Sequence, residues 1–351
     1  MVKMKIAVVL FNLGGPDSKS AIEPFLMNFF LDKNIIRLPL PLRYFIAKMI
    51  AKSRSKKEAG FSYGELGDKS PLLENSQVQS DALEMTLNAS GQHQFKSFVC
   101  MRYWHPMADQ VARDVKDFDP DRIILLPLYP QYSTTTTRSS HQQWVKAASK
   151  AGLDASSTLI CCYPDQKGFI DASAYNLRGV YDQAFAETAQ QPRILFSAHG
   201  LPESIVKDGD PYQRQCEDSA ASIVRAAGLS EADWQICYQS RVGPKKWLGP
   251  STEEALEKAA ADNIPVIILP HAFTQEHVET LVEIDIEYRE VAHKLGVPGF
   301  YKVPTVGTHP AFINGLAEMV QSRIDGGPRV APHINTRICP AEFCRCAMQD
   351  L

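Results

Sequence analysis

No stretch of this chain is long and apolar enough to span a membrane, since no run reaches the ~18 consecutive apolar residues that a spanning helix requires. The amino terminus, Met1 to Val9, passes directly into a strand pattern and has no signal-peptide cleavage region. A cytoplasmic protein is expected, or one held peripherally on the inner membrane. A basic surplus is also missing. The formal net charge is −3, and a nucleic-acid binder would show a basic balance or stripe. The Gly14-Gly15-Pro16 turn lacks the spaced glycines of a dinucleotide loop, so nucleotide binding is rejected there. A disulfide scaffold is not expected from eight cysteines in 351 residues without a secretion signal. Three of the eight crowd into the last thirteen residues, which makes the tail a separate question.

What is present is an alternation of apolar runs and helical stretches over a length that suits two domains. The strand candidates in the first half are Ile6–Phe11, Phe95–Cys100, Ile123–Leu126 and Thr158–Cys162. In the second half they are Ile194–Ser197, Trp234–Gln239, Val266–Leu269 and Phe300–Val303. Near-continuous apolar strands separated by helices imply parallel sheets covered on both faces. The fold class is α/β, with two sheets of roughly four strands each. The expected domains are 1–165, 166–328 and a cysteine-rich tail at 329–351.

The halves echo each other. Leu10-Phe11-Asn12-Leu13-Gly14-Gly15-Pro16 resembles Leu195-Phe196-Ser197-Ala198-His199-Gly200-Leu201-Pro202, and Ile124 to Gln131 resembles Ile267 to Gln275. Two echoes in the same order suggest two similar domains facing each other across a cleft. The first half is 42 residues longer between its echoes, and a segment from about Phe29 to Pro71 has that length. There Ile35, Ile36, Leu38, Leu40, Leu42, Phe45, Ile46, Met49 and Ile50 are interleaved with Arg37, Arg43, Lys48, Lys52, Arg54, Lys56 and Lys57. Such an insertion fits a membrane-surface helix, the lip of an apolar pocket, or a packed helix with a solvated basic face.

His199 stands where a strand opens into a loop, among small residues that let a large ligand approach. Ligands of open α/β sheets bind at that edge, and a neutral imidazole there can accept a proton or bind a metal. Alone it would more often be a structural histidine. Eighty residues on, after another strand, Glu279, Glu283 and Glu287 recur every four residues. On a helix they form one acidic stripe, usually a solvated face. Here Leu281, Val282, Ile284 and Ile286 alternate with it, which points to partial burial and raised carboxyl pKa values. The stripe could conduct protons or hydrated cations, with Glu276 and His277 as their way in. The expectation is a nitrogen base facing carboxylates across a crevice.

Further polar and aromatic groups fall at strand ends: Arg102 and Tyr103, Tyr129 and Tyr132, and Gln239, Ser240, Arg241 and Trp247. Arginines beside aromatics suit a flat apolar ligand that carries carboxylates. In the tail, Cys339, Cys344 and Cys346 look like metal ligands. An iron–sulfur cluster usually needs a fourth thiolate. Zinc, completed by His333 or an internal cysteine, is the rival, and a frayed, reactive terminus is the plain alternative.

These residues together resemble the ferrochelatase family across nearly the whole chain. The most specific matches are Phe196-Ser197-Ala198-His199, Tyr238-Gln239-Ser240-Arg241-Val242-Gly243-Pro244 with Trp247-Leu248-Gly249-Pro250, and His277-Val278-Glu279-Thr280-Leu281. The resemblance implies two Rossmann-like, chelatase-type domains with the active-site cleft between them. It implies a lyase that inserts Fe²⁺ into a porphyrin, with His199 and Glu279 catalytic and His277, Glu283 and Glu287 continuing the metal or proton path. Leu13, Arg54, Arg102, Tyr103, Tyr129, Trp247 and Phe273 match porphyrin-binding positions, and the insertion matches an apolar, membrane-associated lip. The tail resembles family members that carry a [2Fe–2S] cluster, with Cys162, Cys339, Cys344 and Cys346 as ligands. Its spacing departs from the animal pattern, so that carry-over rests on composition and place. Cys162 is preferred over Cys161, which should face the other side of its strand.

The reading is therefore insertion of ferrous iron into protoporphyrin IX, with haem formed and two protons released. The alternatives are coproporphyrin as the substrate and a non-catalytic porphyrin or haem carrier, which would not need the three glutamates. The implied partners are the porphyrin, ferrous iron and a membrane surface touched through the lip. The sequence leaves a homodimer open.

Overall fold

The computed structural model describes residues 3–60, 63–241 and 245–350. Val242, Gly243 and Pro244 of the matched motif lie outside them, as do Phe61, Ser62 and the side chain of Lys57 in the insertion. The chain divides into two compact units. The first takes the residues up to Cys162 together with Leu316–Arg337, and the second takes Tyr163–Gly315 with Ile338–Asp350.

In the first unit the strands are β1 (Lys5–Asn12), β2 (Gln94–Met101), β3 (Arg122–Pro127) and β4 (Ser156–Ile160). In the second they are β5 (Arg193–His199), β6 (Trp234–Gln239), β7 (Val266–Pro270) and β8 (Phe300–Lys302). A ninth, β9 (Val330–Ala331), extends the first sheet to five strands. The orders are β2-β1-β3-β4-β9 and β6-β5-β7-β8, and among the described residues these strands all pair in parallel. The echo in the sequence thus reappears as topology, because each unit runs second, first, third, fourth strand. The order reverses direction between β1 and β3 and between β5 and β7, where strand ends leave a crevice in doubly wound sheets.

Apolar β-branched runs made these strands legible. Ile6 to Leu10 and Ile194 to Phe196 are fully buried, as strands covered on both faces must be. Each large apolar side chain removed from water contributes about 1.5–3 kcal/mol. The helices obey their own period. Helix Ala108–Phe118 buries Ala108, Val111, Ala112 and Val115 and stops where Asp119 turns left-handed. Helix Thr252–Ala261 starts at a capping box, in which the Ser251 side chain accepts from Glu254 N and the Glu254 carboxylate accepts from Ser251 N.

Three expectations change. First, four strands per sheet becomes five in the first unit, because β9 has two residues and is too short to show a period. Second, strand pairing ends at Ile160. Cys161 and Cys162 are past that end, and their sulfurs lie 3.8 Å apart rather than on opposite faces. Third, helix Leu40–Gly60 turns its large apolar side chains outward. Phe45 is 70 % and Met49 67 % exposed, and Leu40, Leu42 and Tyr44 are exposed as well, while Ala47 and Ala51 are buried. The helix packs through these alanines with Lys48 and Lys52 in solvent, and large apolar side chains share the solvent with them.

Candidate active site

His199 is the last residue of β5, beside the order reversal. The register sets Gln239, the last residue of β6, directly beside it. Ser197 Oγ donates to Gln239 Oε1 at 2.7 Å and so orients the amide. The loop after His199 is tight, because a Cβ on Gly200 would lie 2.7 Å from the Gln239 carbonyl oxygen.

The acidic segment arrives from the end of β7. Glu279–Tyr288 winds as a π-helix, a rare form that is frequent at functional sites. It brings Glu279 Oε2 to 2.9 Å from His199 Nδ1. The two are therefore in direct hydrogen bond, not facing each other across a gap. His277 Nε2 lies 3.8 Å from Glu279 Oε1, and the His277 ring is buried against Phe273.

The next carboxylate is held as firmly. Glu283 Oε1 accepts from Ser240 N at 2.9 Å and from Tyr288 OH at 3.0 Å, and its Oε2 accepts from Ser240 Oγ at 2.6 Å. Ser240 can present both groups because its φ is +59°, a left-handed conformation that costs about 1–2 kcal/mol in a non-glycine residue. The Gln239 amide nitrogen reaches both carboxylates, Glu279 at 3.2 Å and Glu283 at 3.4 Å.

These surroundings separate the two acids. Burial alone would raise the Glu279 carboxyl, but the charge and hydrogen bond of His199, with His277 and Gln239, outweigh it and hold the carboxyl at about 2. Burial pushes Glu283 up to about 7, and the neighbouring negative Glu279 adds to the rise. One carboxylate stays ionised and the other exchanges a proton near neutrality. Burial likewise lowers His277. The His199 side chain is 39 % exposed and that of Glu279 19 %, so the couple opens to solvent on the imidazole side. Glu287 is half-buried near the end of the π-helix. Glu276 is tied to Lys302 at 2.9 Å.

The second unit also carries Trp247, which is half-buried beside Gly200 and bridges to Pro202. In the first unit Arg102 follows β2 and donates through Nη2 to Asp32 Oδ2 at 2.9 Å and through Nε to Ser139 Oγ at 2.7 Å. Tyr103 OH donates to the same Asp32 oxygen at 2.8 Å, as does Ser139 Oγ. Arg102 and Tyr103 are thus joined through an acid that sequence reasoning passed over. Its only signal was a lone Asp32 after the apolar run Phe29-Phe30-Leu31. Tyr129 follows β3, and burial raises its hydroxyl. Leu13 packs on Leu72, Val99 and Met101. Arg54 is half-buried on helix Leu40–Gly60.

In the tail, Cys339 and Cys346 are buried and Cys344 is exposed. Gln215 Nε2 donates to Cys339 Sγ at 3.2 Å, and Cys344 Sγ donates to the Asp208 carbonyl at 3.4 Å. Cys162 belongs to the first unit and the tail cysteines to the second.

The ferrochelatase family model matches residues 5–324. A ferrochelatase of Wolbachia sp. subsp. Drosophila simulans (strain wRi) is 51% identical over 317 residues, covering 90% of this chain and 98% of that protein. The ferrochelatase of Caulobacter vibrioides (strain NA1000 / CB15N) is 44% identical over 348 residues, covering 99% of this chain and 98% of its own length. Among solved structures, SirB from Bacillus subtilis with Fe³⁺ superposes with a TM-score of 0.50 at 13% identity, covering 91% of this chain and 95% of that one. That likeness speaks for a chelatase-type fold alone. By the family match and by these identities, the chain belongs to the ferrochelatase family.

Proposed function

We propose that this protein inserts Fe²⁺ into a porphyrin and that His199 and Glu279 act as one couple to receive the protons the macrocycle gives up. The observation that carries the reading is the 2.9 Å hydrogen bond between His199 Nδ1 and Glu279 Oε2 at the strand-end crevice. Each pyrrole N–H replaced by an N–Fe bond releases a proton, so two must leave. In the neutral imidazole that donates from Nδ1 to the ionised Glu279, Nε2 carries the lone pair that accepts a pyrrole proton. The imidazolium that results stands against a carboxylate, the pairing that stabilises it in acid–base catalysis. Glu283, poised near neutrality and bridged to Glu279 by the Gln239 amide, suits onward transfer, because a catalytic group works best with a pKa near the working pH. Glu287 and His277 are proposed to continue that path. Leu13, Arg54, Arg102, Tyr103, Tyr129, Trp247 and Phe273 are proposed as porphyrin contacts.

The porphyrin proposed is protoporphyrin IX, and this choice rests on the tail's resemblance. The test is anaerobic. Protein, Fe²⁺ and either protoporphyrin IX or coproporphyrin are mixed, and porphyrin fluorescence is followed beside an enzyme-free control. Multiple turnovers with haem formed support the reading. Turnover of coproporphyrin alone would change the substrate, and stoichiometric quenching without haem would make the protein a carrier.

The tail supports a [2Fe–2S] cluster on Cys162, Cys339, Cys344 and Cys346 by donor chemistry. Two of the tail thiols are buried, and Cys339 accepts a hydrogen bond of the kind that ligand sulfurs take. As they stand, these thiols do not form a ready-made ligand set: among the described residues no three or more His, Cys, Asp or Glu are gathered as a metal group. No step of the reaction is routed through a cluster. Iron and acid-labile sulfide in anaerobically purified protein, together with visible charge-transfer bands, would establish it. The exposed Leu40, Leu42, Phe45 and Met49 amid lysines and arginines support a lip that rests on an anionic membrane surface. Among the described residues no helix is long and apolar enough to cross the membrane.

A further inference from the structure

Lys302 ends β8, the edge strand of the second sheet, and its side chain is only 10 % exposed. Its ammonium lies 2.9 Å from Glu276 Oε2 and 3.8 Å from Asp285 Oδ2. Those two acids bracket Glu279 and Glu283 along the chain. Glu276 passes the restraint inward. Its Oε1 accepts from Thr305 N at 2.9 Å and its Oε2 from Thr280 Oγ1 at 2.5 Å. Thr280 Oγ1 in turn accepts from His277 N at 2.9 Å. Asp285 has a second tie to the same strand through Arg289, which donates to Asp285 Oδ1 at 2.5 Å and to the Phe300 carbonyl at 2.8 Å.

A π-helix is rarely adopted, and its persistence over ten residues calls for partners outside the segment. We propose that Lys302 is a positioning residue, clamping the π-helical segment to β8 through Glu276 and Asp285 and so holding Glu279 in register with His199. The inference rests on the chelatase reading for its kinetic consequence. A shift of the segment by a fraction of a turn would carry Glu279 out of hydrogen-bond reach, and misplacement of about 1 Å can cost about a hundredfold in rate.

The test compares Lys302→Met and Lys302→Arg with the parent in the full chain. In Lys302→Met, kcat is expected to fall about tenfold to a hundredfold, while KM for protoporphyrin IX stays within about twofold. Lys302→Arg should recover most of the loss. By hydrogen exchange, amides of residues 277–288 should lose protection in Lys302→Met while β5, β6 and β7 keep theirs. Glu276→Gln should give the same split, and it takes the place of Lys302→Met should that variant not fold. Parent-like kcat and exchange in both Lys302→Met and Glu276→Gln would overturn the inference. So would a uniform loss of protection across the second unit, which would make Lys302 a general stabiliser. The parent's turnover tests the chelatase reading and the exchange arm requires no turnover, so either can fail alone.

Discussion

Replacing His199 by alanine removes the imidazole while Glu279 keeps His277 and Gln239 beside it. Turnover is then expected to fall by about a hundredfold to ten-thousandfold, the range lost with a positioned acid–base group. Porphyrin affinity, read by fluorescence titration, should stay close to the parent's, and near-parent turnover would reject the assignment. Asp32 tests a different residue-scale idea. Burial would raise its carboxyl, but Arg102, Ser139, the Asn34 backbone and Tyr103 together hold it below its usual 3.8. A carboxylate depressed on folding adds stability above its unfolded value and loses it as the pH falls through the lower folded value. Asp32→Asn is therefore expected to cost about 3 kcal/mol near neutrality. Urea titrations should show the gap to the parent closing as the pH drops below about 4. His199 was legible because strand, small residues and proline surround it in one short stretch. Asp32 was not, because its partners lie about 70 and 107 positions along the chain.

At the scale of elements, the four-residue recurrence of glutamates pointed to a helix with one acidic stripe, and the segment is helical. Its π winding was hidden, since spacing of charged residues does not distinguish a bond to the fourth residue from one to the fifth. Helix packing shows a similar limit. Gly168, in helix Lys167–Thr188, faces helix Pro310–Gln321 so closely that a Cβ would lie 3.0 Å from Gly315 Cα and nearer still to the Ala311 carbonyl oxygen. On an open helix, Gly→Ala stabilises by up to about 1 kcal/mol. Here Gly168→Ala is expected to destabilise by about 1–3 kcal/mol, the range for overpacking. The denaturation midpoint should fall with an unchanged slope, and a rise in the midpoint would show that the helices have room to part.

For the whole molecule, two sheets with the same strand order explain why the two sequence echoes occur in the same order. Helix Leu40–Gly60 falls within the 42 residues that lengthen the first half. Its outward Leu42, Phe45 and Met49 lead to a prediction about association. Vesicles containing anionic lipid should sediment the protein, and replacing these three by serine should weaken binding about tenfold or more, since each buried apolar side chain is worth about 1.5–3 kcal/mol. Equal sedimentation of parent and variant would remove the lip from the account. Amphipathic composition announced this helix. It did not say which side faced out, because alanines and large apolar residues both count as apolar in a pattern while only contacts decide which of them pack.

The sequence by itself determined the strands of both sheets apart from the two-residue β9, the repeated α/β plan and the strand-end placing of His199, Gln239 and the glutamate run. Those features are written in apolar runs and periods of a few residues, which local sterics and burial translate directly. Only the tertiary structure decided that His199 and Glu279 touch, that Gln239 and Ser240 bridge or hold the carboxylates, that Lys302 clamps their helix, and that Cys161 and Cys162 lie sulfur to sulfur. The histidine and its carboxylate are 80 residues apart. A distance of that kind is set by how β5, β6 and β7 align and by how the segment after β7 winds, and no short stretch of sequence encodes either.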